Sequence, residues 1–363
     1  MAKLIVECLA YEKGKAYGYQ QYLENLLNYF YLNVDKLNFS SIIIYCIDCQ
    51  KPYFEKYGDK MIIYGCKVNN IISRLFVQSM ISWKLNLNRE DVVLFTGNYS
   101  SLIKRSRHVL VVHDLLFKRK KWIRNVRMRL QRTLYMPLSI KYADKIIAIS
   151  NFTAKDIVSY YPESRSKINV IYNCFNFRKF GNVDANICKQ NYFLSVCSSA
   201  FHKNTITLFD AFEEYIERGG KWNLVLVGRV KGIPFLENRY NKLSKLVKDR
   251  IEFCDNISNA ELALLYQQSN AYISCSLFEG LGMPIVEAMY FKLPLILTND
   301  DVFREISQDK GRYINPLDKN DIAQKMIMME TDSFKMQYDL YPFTEESTSE
   351  KYVELLNRFV DKL

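Results

Sequence analysis

The sequence predicts an α/β protein of two Rossmann-like, doubly wound parallel-sheet domains facing a cleft. Three observations lead there. The chain has 363 residues, more than one hydrophobic core ordinarily serves. Its β-rich runs are continuously apolar, as strands covered on both faces are, instead of alternating. Those runs alternate with helical patterns through both halves, the order that builds a parallel sheet with helices on each side.

In the first half the strand candidates are "KLIVECL", "SIIIYCI", "DVVLFTG", "HVLVVHD", "DKIIAIS" and "KINVIYN". Between them lie helical patterns such as "YGYQQYLENLLNYFYL" and "NVRMRLQRTLYMPLSIKYA". In the second half "YFLSVCS", "WNLVLVG", "RIEFCD", "AYISCSL" and "LPLILTN" alternate with helices of the "TITLFDAFEEYIER" kind. Residues 173–190, "NCFNFRKFGNVDANICKQ", have no clean period and read as a linker. The first domain is therefore expected over 1–172 and the second over 191–344. The C-terminal "EESTSEKYVELLNRFVDKL" reads as one amphipathic helix, about 345–363, expected to pack back on the first domain. Ligands of such sheets bind at the carboxyl ends of the strands, which makes a cleft between the domains the expected site.

The composition, 49% hydrophobic and 25% charged, is that of a globular protein with a sizeable core. No apolar run approaches the roughly 18 residues of a membrane span, and "MAKLIVECLA" is too short for a signal peptide. Nine cysteines without a framework point to reduced thiols and a cytoplasmic protein. Cys46 and Cys49 form a lone CxxC that reads as part of a strand. The net charge of +11 is uneven: residues 1–180 hold 29 Lys and Arg against 13 Asp and Glu. Eleven of those cations lie between Lys104 and Arg132, beside a single acid, Asp114.

Four segments carry chemistry. In "AYISCSLFEGLGMPIVEAM" a strand leads through glycines 280 and 282 into a helix whose first turn suits Pro284. A helix N-terminus there offers N–H groups to an anion such as a diphosphate. Glu279 on the turn and Glu287 in the first turn or so suit sugar or ribose hydroxyls. By spacing alone, Glu287 is equally an acid complementing the helix dipole. In "YFLSVCSSAFHKNTITLFDAF" Lys203, with His202 beside it, stands at a helix entrance where a cation meets a phosphate, although a solvated loop lysine fits as well. In "VLVVHDLLF" His113 and Asp114 end a buried strand; a purely structural histidine is an equal reading, and Asp114 suits a cap for the next segment. Gly18 falls between the first strand and a long helix, where backbone approaches a ligand; no GxGxxG is present.

These pieces, in this order, resemble the retaining glycosyltransferases of the GT-B fold, family 4 (glycosyl transferases group 1), from Gly18 to about Met326. "EGLGMPIVEAM" with "KLPLILTN" and "REI" is the most specific signature, and "FHKN", "LVLVG", "ELALLYQQSNAYISCS", "HDLLF" and "ADKIIAIS" match further stations. The resemblance implies that Glu279 holds the donor sugar's hydroxyls. Gly280, Leu281 and Gly282 would flank sugar and diphosphate, Glu287 would bind the ribose and Lys203 would neutralise the diphosphate. His113 would touch the transferring sugar, and the loop at Gly18 would lie near the diphosphate or acceptor. The chain departs from the family where Cys197 and Cys174 replace glycine, His202 replaces arginine and Gln20 replaces a second glycine. Without the arginine, Lys203 is the loop's fixed cation unless Arg229 contributes.

The implied reaction moves a sugar from a nucleotide-diphosphate sugar to a hydroxyl of a glycan or lipid-linked glycan, with retention, by front-face attack in which the leaving phosphate takes the proton. Bacterial surface polysaccharide assembly is the setting the family suggests. No DxD motif occurs, Asp300 and Asp301 being adjacent, so no metal and no further cofactor are expected. The basic segment 104–132 is expected to meet an anionic membrane surface, placing the enzyme at the inner face of the cell membrane. Two alternatives stand beside this. One is a basic nucleic-acid- or membrane-binding protein without transferase activity, which leaves the Glu279/Glu287 turn unexplained and lacks a recognition motif, so no nucleic acid is expected. The other is a glycoside hydrolase, whose paired carboxylates stand about 5–9.5 Å apart.

Overall fold

A computed structural model describes residues 2–12, 18–119, 126–181, 187–197, 199–332 and 336–361. The chain forms two compact units. The first takes the described residues up to Asn176 together with Tyr341 onward, and the second takes Phe177–Leu340.

The first unit holds β1 (Lys3–Glu7), β2 (Ser41–Ile47), β3 (Ile62–Cys66), β4 (Val92–Phe95), β5 (Arg107–Val112), β6 (Lys145–Ala148) and β7 (Ile168–Val170). Its helices are α1 (Gly18–Leu32), α2 (Lys51–Phe54), α3 (Ile71–Ser79), α4 (Ile81–Lys84), α5 (Val126–Tyr142) and α6 (Asn151–Tyr160). All strand pairs are parallel, in the order β3-β2-β1-β4-β5-β6-β7. The order reverses between β1 and β4, and the carboxyl ends of those two strands form the crevice where open α/β sheets bind ligands. The central strands are buried on both faces, which is why they read as unbroken apolar runs.

The second unit holds β8 (Tyr192–Val196), β9 (Asn223–Val227), β10 (Ile251–Cys254), β11 (Ala271–Ser274), β12 (Leu295–Thr298) and β13 (Arg312–Ile314). Its helices are α7 (Thr205–Glu217), α8 (Pro234–Asn241), α9 (Lys245–Lys248), α10 (Asn259–Gln268), α11 (Met283–Tyr290), α12 (Asp301–Ser307) and α13 (Lys319–Thr331). The sheet is again wholly parallel, in the order β10-β9-β8-β11-β12-β13, with its reversal between β8 and β11. One aliphatic and aromatic core, including Phe193, Phe209, Phe212, Tyr215 and Ile273, joins α7 to the sheet.

Each sheet has one strand that the sequence did not announce, β3 and β13. Both are edge strands, and neither is buried along its full length. An edge strand has one neighbour and needs no continuous apolar run, so its pattern is weak. The final helix, α14 (Glu345–Val360), starts at Thr344, whose hydroxyl accepts from Ser347 N–H, and packs on α1. There the buried Tyr22 and Tyr352 hydroxyls meet at 2.9 Å. Within 173–190, Asn173, Cys174 and Phe175 are buried in the first unit, with Phe175 N–H donating to Phe343 O at 2.9 Å. Phe177–Phe180 form a 3-10 turn of the second unit.

Candidate active site

The second unit builds its site at the reversal between β8 and β11. The chain leaving β8 enters a 3-10 turn, Phe201–Lys203, and then Asn204, whose left-handed backbone (φ 57°) redirects it into α7. The chain leaving β11 passes Glu279 and reaches Gly282 at φ 83°, the residue before α11. A side chain at Gly282 would meet that backbone cost and come 2.8 Å from Ile285 Cδ1, so glycine is required there. Pro284 occupies the first turn of α11, where no N–H is needed. The loops are tied together: Leu277 N–H donates to His202 O at 2.7 Å, and Asn204 Nδ2 donates to Pro316 O at 2.7 Å and Cys275 O at 3.2 Å.

This frame brings Lys203 and Glu279, 76 residues apart in sequence, to an ion pair of 2.6 Å, with both side chains largely buried. His202, Gly280, Leu281 and Gly282 lie on the same two loops. Gly228, after β9, sits at φ 136°, where a Cβ would fall 1.8 Å from Cys197 O, so the "LVLVG" strand end closes directly on the β8 strand end. Arg229 is exposed, donates from Nε to Lys231 O at 3.1 Å on its own loop, and forms no hydrogen bond or ion pair with Lys203 or Glu279.

Glu287 differs from the first-turn acid that its spacing suggested. It is the fifth residue of α11, past the first turn, and is buried. Its Oε1 meets Lys179 Nζ at 2.6 Å, and its Oε2 accepts from the Tyr266 hydroxyl at 3.0 Å. The residues that sequence reasoning missed here are Lys179, Tyr266 and Asn204. Lys179 was hidden in the aperiodic linker. Tyr266 lies in "ELALLYQQSNAYISCS" and Asn204 in "FHKN", and neither carries a local signal of its contact.

The first unit has its own polar cluster at the reversal between β1 and β4. Thr96, following β4, donates from its hydroxyl to Glu7 O at 2.6 Å, so the Tyr19 hydroxyl, 2.8 Å away, donates to Thr96 Oγ1. His113 contacts the carbonyl of Thr96 through Nε2 at 2.8 Å; a carbonyl only accepts, so Nε2 carries the proton. Burial holds the His113 pKa below the ordinary histidine value, and the neutral ring keeps Nδ1 as an acceptor. Its backbone N–H donates to Asn98 Oδ1 at 2.7 Å, and the rings of Tyr19 and Tyr22 face it edge-on. Asp114 Oδ1 accepts from Leu116 N–H at 2.9 Å, capping the turn that follows.

Glu7 is 1% exposed. Its Oε1 accepts from Leu9 N–H at 2.9 Å, while Oε2 has no partner, and burial pushes its carboxyl up to about 7. Gly18 opens α1 instead of lying in a loop, and residues 13–17 before it lie outside the described residues. His113 and Gly18 thus belong to the first unit, and the remaining candidate residues to the second.

The basic segment is less free than its composition suggests. Lys104 pairs with Asp144 at 2.7 Å, Arg119 with Asp156 at 2.9 Å and Arg132 with Asp114 at 3.6 Å, while Arg107 donates to Phe359 O. Residues 120–125 and the side chains of 126–129 lie outside the described residues. Among the described residues no helix is long and apolar enough to cross a membrane.

Residues 64–179 match the family model Glycosyltransferase Family 4, and residues 181–346 match Glycosyl transferases group 1. The O-antigen chain mannosyltransferase RfbU of Salmonella typhimurium is 30% identical over 296 residues, covering 76% of this chain and 78% of that protein. The chain belongs to the group 1 glycosyl transferases. The serotype-specific mannosyltransferase WbdA of Escherichia coli is 28% identical over 235 residues, 59% of this chain, which spans only 28% of that longer protein. Among solved structures, a glycosyltransferase from Rickettsia africae superposes with a TM-score of 0.69 at 17% identity, covering 99% of this chain and 98% of that one. Anabaena HepE, solved with UDP and glucose, gives 0.67 at 14% identity, covering 100% and 99%. Fold and family therefore agree: this group 1 glycosyl transferase has the two-sheet GT-B architecture, and its most specific motif is the segment that carries Glu279 and Glu287.

Proposed function

We propose that this glycosyltransferase moves a mannosyl residue from GDP-mannose to a hydroxyl of a glycan or lipid-linked glycan in bacterial surface polysaccharide assembly, with retention of configuration. The observation that carries the reading is the Lys203–Glu279 pair at the β8/β11 reversal, beside the uncapped N-terminus of α11. An ammonium and a helix N-terminus side by side stabilise the departing diphosphate, where negative charge grows in the transition state. Glu279 accepts from hydroxyls of the adjoining sugar, and Glu287 accepts from the ribose. His202 and the backbone of Gly280–Gly282 line the diphosphate, and Arg229 supplies a second cation by turning out of its own loop. His113 Nδ1 accepts from a hydroxyl of the transferring sugar, and Gly18 lies toward the diphosphate or acceptor.

The mannosyl group follows RfbU and WbdA, both mannosyltransferases, and the GDP carrier follows a related GDP-mannose-dependent mannosyltransferase of Xanthomonas campestris. The acceptor attacks from the face the diphosphate leaves, and the diphosphate oxygen takes the acceptor's proton. With Lys203 in that place, turnover needs no divalent metal and persists in EDTA. Incubation with GDP-mannose, UDP-glucose and UDP-galactose and an isolated lipid-linked acceptor tests the donor. Transfer from GDP-mannose with an α-linked product supports the reading. Release of free sugar from a simple glycoside without nucleotide overturns it.

The enzyme works at the inner face of the cell membrane, through α5 and the cations around it. Leu130, Leu134 and Leu138 recur every fourth residue of that helix and are 60%, 60% and 39% exposed, an apolar stripe suited to a lipid interface. Sedimentation with anionic liposomes at low salt, lost on Leu134→Asp, is the expected result. Absence of sedimentation removes the membrane from the reading.

A further inference from the structure

The group that holds Glu287 lies outside the "EGLGMPIVEAM" segment. Lys179 sits in the 3-10 turn Phe177–Phe180, 108 residues before Glu287, and its ammonium reaches Glu287 Oε1 at 2.6 Å with 16% of the lysine side chain and 5% of the glutamate exposed. The turn is fixed by aromatic packing. Phe177 stacks on Tyr290 at 4.6 Å between centroids, and Phe180 packs on Phe291 at 5.1 Å and Tyr266 at 6.3 Å. Tyr266 in turn donates to Glu287 Oε2, so one aromatic cluster sets both partners of the carboxylate.

A buried ion pair is no better for stability than apolar residues of the same volume, so stability alone does not account for an acid and a lysine at this place. What the pair does achieve is orientation. A carboxylate has about four acceptor positions, and Lys179 and Tyr266 occupy one on each oxygen. Each oxygen keeps a further lone pair, and the direction in which those lone pairs point is fixed by the two bonds already made.

We propose that Lys179 is a positioning residue of the donor site, holding the Glu287 carboxylate oriented to accept both hydroxyls of the nucleotide's ribose. This rests on the reading of Glu287 as the ribose acceptor. Without the ammonium, the Glu287 carboxylate keeps one neutral donor, Tyr266, and is free to turn away, so the ribose loses its aimed acceptor. The ribose is remote from the reacting bond, so the loss falls on donor binding and not on the chemical step.

The test uses the full-length enzyme with GDP-mannose. Lys179→Met, a side chain of similar length without the charge, is expected to raise the donor KM roughly 10- to 100-fold, the effect of a lost charged hydrogen bond, with kcat and acceptor KM near wild type. Lys179→Arg restores most of the affinity. Competitive inhibition by GDP and by 2′,3′-dideoxy-GDP gives the readout that packing alone does not move. Wild type prefers GDP, and Lys179→Met narrows that preference as Glu287→Gln does. In the Glu287→Gln background, Lys179→Met adds nothing further. Should Lys179→Met not fold, Lys179→Gln, which keeps a donor to the carboxylate, is expected to show an intermediate KM. Wild-type donor KM in the folded lysine variants, with Glu287→Gln impaired, overturns the role of Lys179 alone. An unchanged preference for GDP in Glu287→Gln overturns the ribose reading and this inference with it.

Discussion

The two sheet crevices treat their buried acids in opposite ways. In the second unit, Glu279 and Glu287 each meet a lysine at 2.6 Å. In the first, Glu7 lies at the equivalent reversal of strand order with one oxygen unpartnered, and burial pushes its carboxyl up to about 7. At the amino end of β5 in the same sheet, His108 is fully buried with no hydrogen-bond partner on either ring nitrogen, and burial lowers its pKa to about 4. The second crevice therefore holds its charges in fixed, compensated pairs. The Lys203–Glu279 pair suits a charged ligand whose phosphates take over the lysine and whose hydroxyls take over the carboxylate. The first unit holds buried groups without such partners, and its contribution to stability depends on pH.

The sharpest way to break this contrast is to remove one member of a pair. Glu279→Gln is expected to lower kcat/KM by roughly 100- to 1,000-fold, the loss of a polar group acting on the reacting sugar, as steady-state kinetics with GDP-mannose would show. Wild-type turnover would take Glu279 out of the chemistry and leave the pair as structure.

Next in size are the unpaired groups, read by chemical denaturation across pH. The Glu7 carboxyl has a folded pKa of about 7 against 4.5 unfolded. Its folded value is raised, so stability is full below about 4.5 and falls as pH rises through about 7. Glu7→Gln, which cannot ionise, is expected to be more stable than wild type by about 3 kcal/mol at pH 8, with the gap closing toward pH 4. His108 has the opposite sign. Its folded value of about 4 lies below 6.5, so stability is present above 6.5 and falls as pH drops toward 4. His108→Leu is expected to remove a similar loss of about 3 kcal/mol on the acid side. Flat differences across pH in both variants would show that these groups do not titrate as their burial requires.

The smallest effect sharpens the paired side. Tyr266→Phe removes one neutral donor from Glu287 and keeps the ring among Phe180 and Phe291. A donor KM raised roughly fivefold is expected, well below the effect of Lys179→Met. An equal or larger effect would make the hydroxyl, and not the ammonium, the main support of the carboxylate.

Much of the fold was legible because central parallel strands leave an unbroken apolar signature and their helices a periodic one. The missed strands, Ile62–Cys66 and Arg312–Ile314, lie at sheet edges where that signature is not required. The site was half legible. Glu279, Gly282 and Glu287 announce themselves by standing in a glycine turn inside core-like sequence. Their partners do not, because Lys179 and Lys203 find them across 108 and 76 residues, and no local pattern records a contact of that span. The eleven cations between Lys104 and Arg132 looked like one surface patch. Several instead pair with Asp114, Asp144 and Asp156, acids that the folded chain brings alongside them.

The sequence by itself determined the two parallel sheets, the family and the segment that carries Glu279 and Glu287. Those follow from local pattern: apolar period, glycine where the backbone turns left-handed, proline where a helix starts. Only the tertiary structure decided which charges are paired and which are buried alone. Glu287 is a lysine-bound carboxylate and not a helix-dipole acid, and Glu7, unremarkable in "KLIVECL", is an acid with an empty oxygen. The energy of a buried charge is set by what lies within a few ångströms of it, and that neighbourhood forms only when distant parts of the chain meet.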